Sequence, residues 1–194
     1  MSWKWPWAVL AAVSLLPALR AQSPIWNHAG PGAMQNPAWG AVAGPIVALA
    51  AGSGESAIYA AGAGGVWQRT SAGWTALGPN QPVTALAVLP SGGLIAGTAV
   101  GLFQNASVAG GWSAVGAGVL GTFTVTAIAL DPANPQHWLV GTSAGLFATA
   151  DAGATFAATA LSDPVLAVGW QSASVLVATT RTIEASRDDG ATFA

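Results

Sequence analysis

From residue 45 onwards, apolar residues come in runs of four to six, and Gly, Pro, Ser or Asn breaks each run before it reaches helical length. Four of these runs, residues 45–50, 82–87, 125–130 and 164–169, each open a longer unit. Ile46, Val83, Val125 and Val165 mark their starts, at spacings of 37, 42 and 40 residues. Each unit continues with a second run (57–60, 93–96, 137–140, 174–178), a turn of small residues and a third run (65–68, 101–104, 145–148, 182–185). An aromatic closes it: Trp74, Trp112, Phe156 or Phe193. Runs this short, bounded by turn residues, predict strands. Beyond residue 21 no 3.6-residue apolar period lasts long enough for a helix. The abundant alanine favours helix by propensity, but the Gly and Pro spacing leaves no room for one.

Four strands per unit at a period near 40 residues predict the blades of a β-propeller. The expected fold is therefore all-β, with about four four-stranded blades at residues 45–81, 82–124, 125–163 and 164–194. The first run of each unit is expected to be innermost and, being continuously apolar, buried on both faces. The closing aromatic belongs to the outermost strand. Residues 22–44 form a leader whose Trp39-Gly40-Ala41-Val42-Ala43-Gly44 is similar to Trp74-Thr75-Ala76-Leu77-Gly78, an outer strand with no inner strands before it. Four blades are the lower limit of known rings, and residue 194 falls where the fourth outer strand should begin. The pattern favours part of a six- to eight-bladed propeller. Closure by residues 39–44 beside Ser186, or an oligomer, are the alternatives.

Two units carry the same turn between the third run and the aromatic. Thr149-Ala150-Asp151-Ala152-Gly153-Ala154-Thr155-Phe156 recurs 37 positions on as Ser186-Arg187-Asp188-Asp189-Gly190-Ala191-Thr192-Phe193. A short Asp side chain accepts hydrogen bonds from backbone N–H groups further along, Gly takes positive φ without steric cost, and Ser or Thr bonds across the turn. Asp151, Gly153, Thr155, Ser186, Asp188, Gly190 and Thr192 thus read as structural, and Phe156 and Phe193 as rings packed between neighbouring blades. The motif resembles the Asp-box, or BNR repeat, found in sialidases, sortilin-type receptors, xyloglucan-degrading propeller hydrolases and propeller-type photosystem II assembly factors. Asp131-Pro132-Ala133-Asn134-Pro135, followed by Trp138-Leu139-Val140-Gly141-Thr142, is similar to the blade consensus of exported bacterial members. The resemblance covers roughly residues 45–194 and is carried by the third and fourth units. The first two keep only Gly73-Trp74 and Gly111-Trp112, without the Asp. It implies that the turns lie on the outer rim, away from any ligand. One carboxylate per turn, without D-x-D spacing, does not match a calcium loop, and no metal site is expected.

Residues 1–21 have the order of a secretory signal: Lys4, an apolar stretch from Trp5 to Leu19, and Leu19-Arg20-Ala21 before Gln22. The stretch is about 15 residues, short of the roughly 20 that span a bilayer, and Pro6 and Pro17 interrupt it. A secreted or periplasmic protein, free of the membrane after cleavage, is expected. Cleavage leaves three arginines, no lysine and seven acidic residues, a net charge of −4. Such a chain has no electrostatic footprint for nucleic acid or for an anionic bilayer. With no cysteine, neither disulfides nor thiolate metal sites can form. Stability must come from the apolar core, which 53% hydrophobic residues permit.

Ligands are expected on the loops that join successive blades or the second strand to the third, residues 79–81, 116–124, 161–163 and 179–181. Asn80, Gln81, Asp163 and Arg181 are the candidate contacts there for a protein or glycan. A glycosidase needs two carboxyl groups flanking the scissile bond. With Asp131, Asp151, Asp188 and Asp189 in turns, only Glu55, Asp163 and Glu184 remain, and Glu184 belongs to a third strand. A sialidase needs an arginine cluster, but only Arg69, Arg181 and Arg187 follow the leader, and Tyr59 reads as core. His28 and His137 are far apart, and no Ser/His/Asp order suggests a triad. No catalytic residue and no cofactor are assigned. The expected function is an exported, non-catalytic binding or scaffolding propeller. The resemblance adds two alternatives, the N-terminal part of a propeller glycoside hydrolase and a protein similar to photosystem II assembly factors. Asn105-Ala106-Ser107 fits a glycosylation acceptor. Trp67, Trp74 and Trp112 occupy repeat positions and read as core, whereas Trp26 in the leader has no such explanation.

Overall fold

Neighbours in sequence become neighbours in space: each short run pairs with the next. The computed structural model describes residues 34–36, 40–42, 45–52 and 57–194. The expected signal at 1–21, together with Trp26, His28, Trp39 and Glu55, lies outside the described residues. β1 (Met34–Asn36) pairs antiparallel with β2 (Gly40–Val42). The first blade then runs β3 (Ile46–Ala51), β4 (Ile58–Gly62), β5 (Gly65–Thr70), β6 (Gly73–Gly78). The second is β7 (Val83–Val88), β8 (Leu94–Thr98), β9 (Gly101–Asn105), β10 (Ser113–Val115). A single helical turn, α1 (Ala117–Leu120), leads to the third, β11 (Val125–Leu130), β12 (Trp138–Thr142), β13 (Gly145–Thr149), β14 (Ala157–Ala158). The fourth has β15 (Val165–Gln171), β16 (Ser174–Thr179) and β17 (Ile183–Ser186). Each is an antiparallel meander in sequence order. Ala194 exchanges both backbone hydrogen bonds with Ala185, at 3.0 Å each, beside the three-stranded sheet of the fourth blade. The architecture is the predicted one: all-β, built of propeller blades.

One expectation is corrected. The first strand of each blade is not the most buried; the second is. All five residues of β8 and all five of β12 are buried, whereas β3 and β15 are largely exposed. A first strand has a hydrogen-bonded partner on one side only. The second strand lies mid-sheet, where neighbouring blades cover both its faces. Continuous apolar character on the first strand marks seam contacts and bulges rather than two-sided burial.

Three clusters make the seams. Tyr59, Ala61 and Val66 of the first blade meet Val83, Leu94 and Ala96 of the second. Ile95 and Leu102 meet Val125, Trp138, Val140 and Phe147 across the next seam. Ala129, Leu139 and Leu146 meet Val165, Val175 and Val177 across the last. The closing aromatics Trp112, Phe156 and Phe193 pack against these clusters, as their repeat position implied. Trp112 also donates its Nε1–H to the carbonyl of Leu77 in the preceding blade, at 2.8 Å.

The first strands share a further device. Each has a β-bulge after its first residue, leaving Val47, Thr84, Thr126 and Leu166 out of register. A bulge re-aims its side chain. Thr84 and Thr126 use this to donate to the Val125 and Val165 carbonyls of the following blade, at 2.5 and 2.6 Å. Beside these bonds, Gly97 and Gly141 let the next blade's valine approach. A Cβ at Gly141 would lie 2.5 Å from a Val165 methyl.

Because Trp138 is 0% exposed at the centre of a seam, Trp138→Ala is expected to destabilise the protein by about 3–5 kcal/mol. A denaturant melt that moved by under about 1 kcal/mol would sink the view that the seams hold the array together.

Candidate functional site

An antiparallel meander sends its connections out at two ends. At one end lie the hairpins between first and second strands and the turns between third and fourth. At the other lie the turns between second and third strands and the links from blade to blade.

The third-to-fourth turns are built around an exposed Asp. In the third blade the buried Thr149 hydroxyl donates to Asp151 Oδ1 at 2.7 Å and accepts the N–H groups of Asp151 and Gly153 at 3.3 and 3.0 Å. Asp151 in turn accepts the Thr155 N–H at 2.8 Å and the Thr155 hydroxyl at 2.6 Å. Ser186, Asp188, Gly190 and Thr192 repeat the same five bonds in the fourth blade. Two successive left-handed residues close each turn, Ala152 (φ 56°) with Gly153 (φ 91°) and Asp189 (φ 58°) with Gly190 (φ 88°). At 153 glycine is also required for space, since a Cβ would sit 2.6 Å from the Trp138 ring. The carboxylates are held in the charged form. The Thr155 hydroxyl and N–H, then Thr149, lower Asp151 from 3.8 to about 2. The Ser186 hydroxyl, then the Thr192 hydroxyl and N–H, bring Asp188 to about 2 as well.

In the second blade Asn105 takes the position of Thr149. Its Nδ2 donates to the Gly110 carbonyl at 3.0 Å and its side chain is 0% exposed. The glycosylation reading does not fit this fold, because an enclosed amide bonded to the Gly110 carbonyl leaves no room for a glycan. Sequence reasoning also missed a pair at this end. His137 Nδ1 lies 3.5 Å from Asp131 Oδ2, across one hairpin, and the imidazole stands edge-on to Trp170 of the next blade at 4.8 Å. Asp131 also accepts the Ala133 N–H at 2.7 Å.

The opposite end carries the candidate ligand contacts. Its second-to-third turns are fixed from within by buried threonines. Thr98 accepts the Val100 N–H and donates to the Gly101 carbonyl. Thr142 does the same with Ala144 and Gly145, and Thr179 with Arg181 and Thr182. The backbone is thereby rigid, and the side chains between are presented outward. They are Ala99 and Val100, Ser143 and Ala144, then Thr180 and Arg181, so the fourth turn is the one of these three that offers a charge.

Arg181 Nη1 lies 3.3 Å from Asp163 Oδ1, with 75% and 34% of the side chains exposed. Asp163 sits on the link from the third blade to the fourth, which is anchored by a Thr180 N–H bond to the Pro164 carbonyl at 2.9 Å. Two of the four candidates are thus brought together. Asn80 and Gln81 belong to another seam. Asn80 edges a cleft of about 460 Å³ with Leu77, Gly78, Pro79, Phe103 and Trp112, and the Gln81 N–H bonds to the Pro79 carbonyl. The arrangement offers a polar, exposed pair at one seam and an aromatic-walled cleft at another. No group of three or more His, Cys, Asp or Glu that could hold a metal occurs among the described residues. No helix there is long and apolar enough to cross a membrane.

No protein-family model matches the chain, and no curated protein matches it. Solved structures do. An ancestral GH74 enzyme superposes with a TM-score of 0.69 at 20% identity, over 85% of this chain and 24% of that one. The GH74 xyloglucanase of Xanthomonas campestris gives 0.60 at 16% identity, over 78% of this chain and 30% of that one. The extracellular domain of a putative one-component system from B. thetaiotaomicron gives 0.62 at 14% identity, over 77% and 22%. These likenesses establish the β-propeller fold, and the chain spans between about a fifth and a third of each of these proteins.

The depressed rim carboxylates set a pH window. Their folded values of about 2 lie below the ordinary 3.8. Their contribution is therefore complete above about pH 4 and is lost as pH falls toward 2. Thermal melts should hold steady from pH 7 to about 5 and drop between about 4 and 2. The double variant Asp151→Asn, Asp188→Asn should be less stable at pH 7 and show a shallower drop. An unchanged acid profile in that variant would show that other groups control it.

Proposed function

We propose that this chain is an exported Asp-box propeller that binds a protein or glycan at the end carrying Arg181 and Asp163, without catalysing a reaction there. The observation that carries the reading is the contrast between the two ends. The turn motif, with its five-bond Asp arrangement in two blades, is saturated internally, while the other end presents an exposed ion pair on turns locked by buried threonines. Rigid turns keep the entropic cost of binding low. The carboxylates support a non-catalytic role. Asp151 and Asp188 close turns, Asp131 is buried against His137, Asp163 faces Arg181, and Glu184 accepts the Thr182 hydroxyl at 2.6 Å. A glycosidase needs an opposed acid and base instead.

A second reading rests on the GH74 likenesses: the chain corresponds to part of a propeller glycoside hydrolase. Its partial span of those enzymes, 24% and 30% in the two cases above, favours it. The two readings separate in one experiment. Purified protein is titrated with xyloglucan and other soluble glycans, following tryptophan fluorescence and release of reducing ends. The binding reading expects saturable binding without reducing ends, weakened at least about tenfold by Arg181→Ala or Asn80→Ala. An exposed pair of this kind contributes little to stability, so Arg181→Ala should stay folded. Reducing-end release abolished by Asp163→Asn would instead establish the hydrolase.

A further inference from the structure

In the first two seams, a closing aromatic of the following blade stands over a glycine of the preceding one. A Cβ at Gly78 would lie 3.2 Å from the Trp112 ring, and one at Gly116 would lie 2.5 Å from the Phe156 ring. The third strand of each following blade adds a phenylalanine to the same seam. Phe103 and Phe147 hold equivalent register positions, opposite Ala96 and Val140, and those two residues pack against the preceding blade.

The two seams differ in what covers that phenylalanine. In the second, the link of residues 116–124 folds back through α1. It buries Leu120 completely and stacks the Phe123 ring on Phe147, with centroids 5.8 Å apart and planes at 27°. In the first, the link is residues 79–82 and carries no aromatic. There the space remains as the cleft of about 460 Å³, with the end of β6, Pro79 and Asn80 on one side and Phe103 and Trp112 on the other. None of its lining residues is charged.

The walls of this cleft are fixed. β6 carries an extra residue, Leu77, where its pairing with β5 shifts, and a bulge re-aims the groups around it. The Leu77 carbonyl accepts the Trp112 Nε1–H at 2.8 Å. Pro79 is buried, and its carbonyl accepts the Gln81 N–H at 2.8 Å. Asn80, next along the link, is exposed.

We propose that the cleft binds one pyranose ring of a neutral glycan, in the place that Phe123 fills in the next seam. One face of a pyranose is apolar, and its C–H bonds suit the negative face of an aromatic ring. Its edge carries hydroxyls. Phe103 and Trp112 offer the aromatic surface, and the Asn80 carboxamide offers both donors and an acceptor. A lining without charge selects a neutral sugar over an acidic one. The volume falls within the range of small-molecule sites, about 300–1,000 Å³. Fixed walls keep the cost of ordering low when the ring enters. This site belongs to the first seam, apart from the Arg181–Asp163 pair of the last, and stands whether or not that pair holds a ligand.

Calorimetric titration of the purified protein with cellotetraose, xylotetraose and mannotetraose tests it. Tetragalacturonate serves as the charged sugar and N-acetylphenylalanine amide as the competing ring. At least one neutral tetrasaccharide should bind saturably. Phe103→Leu and Asn80→Ala should each weaken it at least about tenfold, and Arg181→Ala should leave it unchanged. Circular dichroism checks that Phe103→Leu is folded, and Asn80→Ala alters an exposed link, so it tests the site even if Phe103→Leu is not. No saturable binding of the three neutral sugars, or binding indifferent to both cleft variants, would overturn the proposal. Binding lost in Arg181→Ala but kept in Phe103→Leu would overturn the cleft while supporting a glycan site at the last seam. Preference for tetragalacturonate or for the phenylalanine amide would overturn the neutral sugar.

Discussion

A four-stranded blade has two broad faces and no means of covering either alone, so the structure depends on blade stacking against blade. The second strand carries this constraint. Trp138, Leu139 and Val140 are consecutive and all 0% exposed, although alternate residues of a strand point to opposite faces. That is only achievable when a neighbour covers each side. The bulge threonines, the glycines at 97 and 141, and the Trp112 bond to Leu77 all serve the same close approach. The scarcity of charge, 6% of residues, follows as well. Faces are reserved for seams, and among the described residues the charged groups lie in turns and loops except Arg69 on β5 and Glu184 on β17.

The two ends of the blades divide the remaining labour. At one end, Asp151 and Asp188 spend both carboxylate oxygens within their own turns, each holding a hydroxyl and an N–H four residues on. Their pKa values are depressed because the hydrogen bonds favour the charged form. At the other end, the hydrogen bonding is supplied by buried threonines, which leaves outward side chains uncommitted to structure. Variation at such positions alters what the surface offers without disturbing the seams. Arg181 occupies one of them, where Ala99–Val100 and Ser143–Ala144 stand in the preceding blades.

Much of the fold was legible from the chain. The 37- to 42-residue spacing located the inner strands to within a residue, because a repeat constrains each strand several times over. The turn motif predicted its own hydrogen bonds, since they are local. Less legible was the burial order: apolar composition says that a strand has a partner, not how many of its sides are covered. The Asp131–His137 pair was missed because the hairpin brings together residues whose roles had been read separately. Asn105 looked available as a three-residue motif, and only its position in the repeat puts it inside.

What the sequence determined by itself is therefore the periodic and the local: strand number, blade length, the turns between third and fourth strands, and the low charge. These depend on residues close together in the chain or on a pattern that recurs. The tertiary structure alone decided which faces are covered, that Arg181 meets Asp163 while Asn80 lies at a different seam, and that Leu176, Ile183 and Leu49 are left in solvent. Such facts depend on which blade stands next to which, and neither a strand's apolar pattern nor its turn chemistry records the neighbour across the seam.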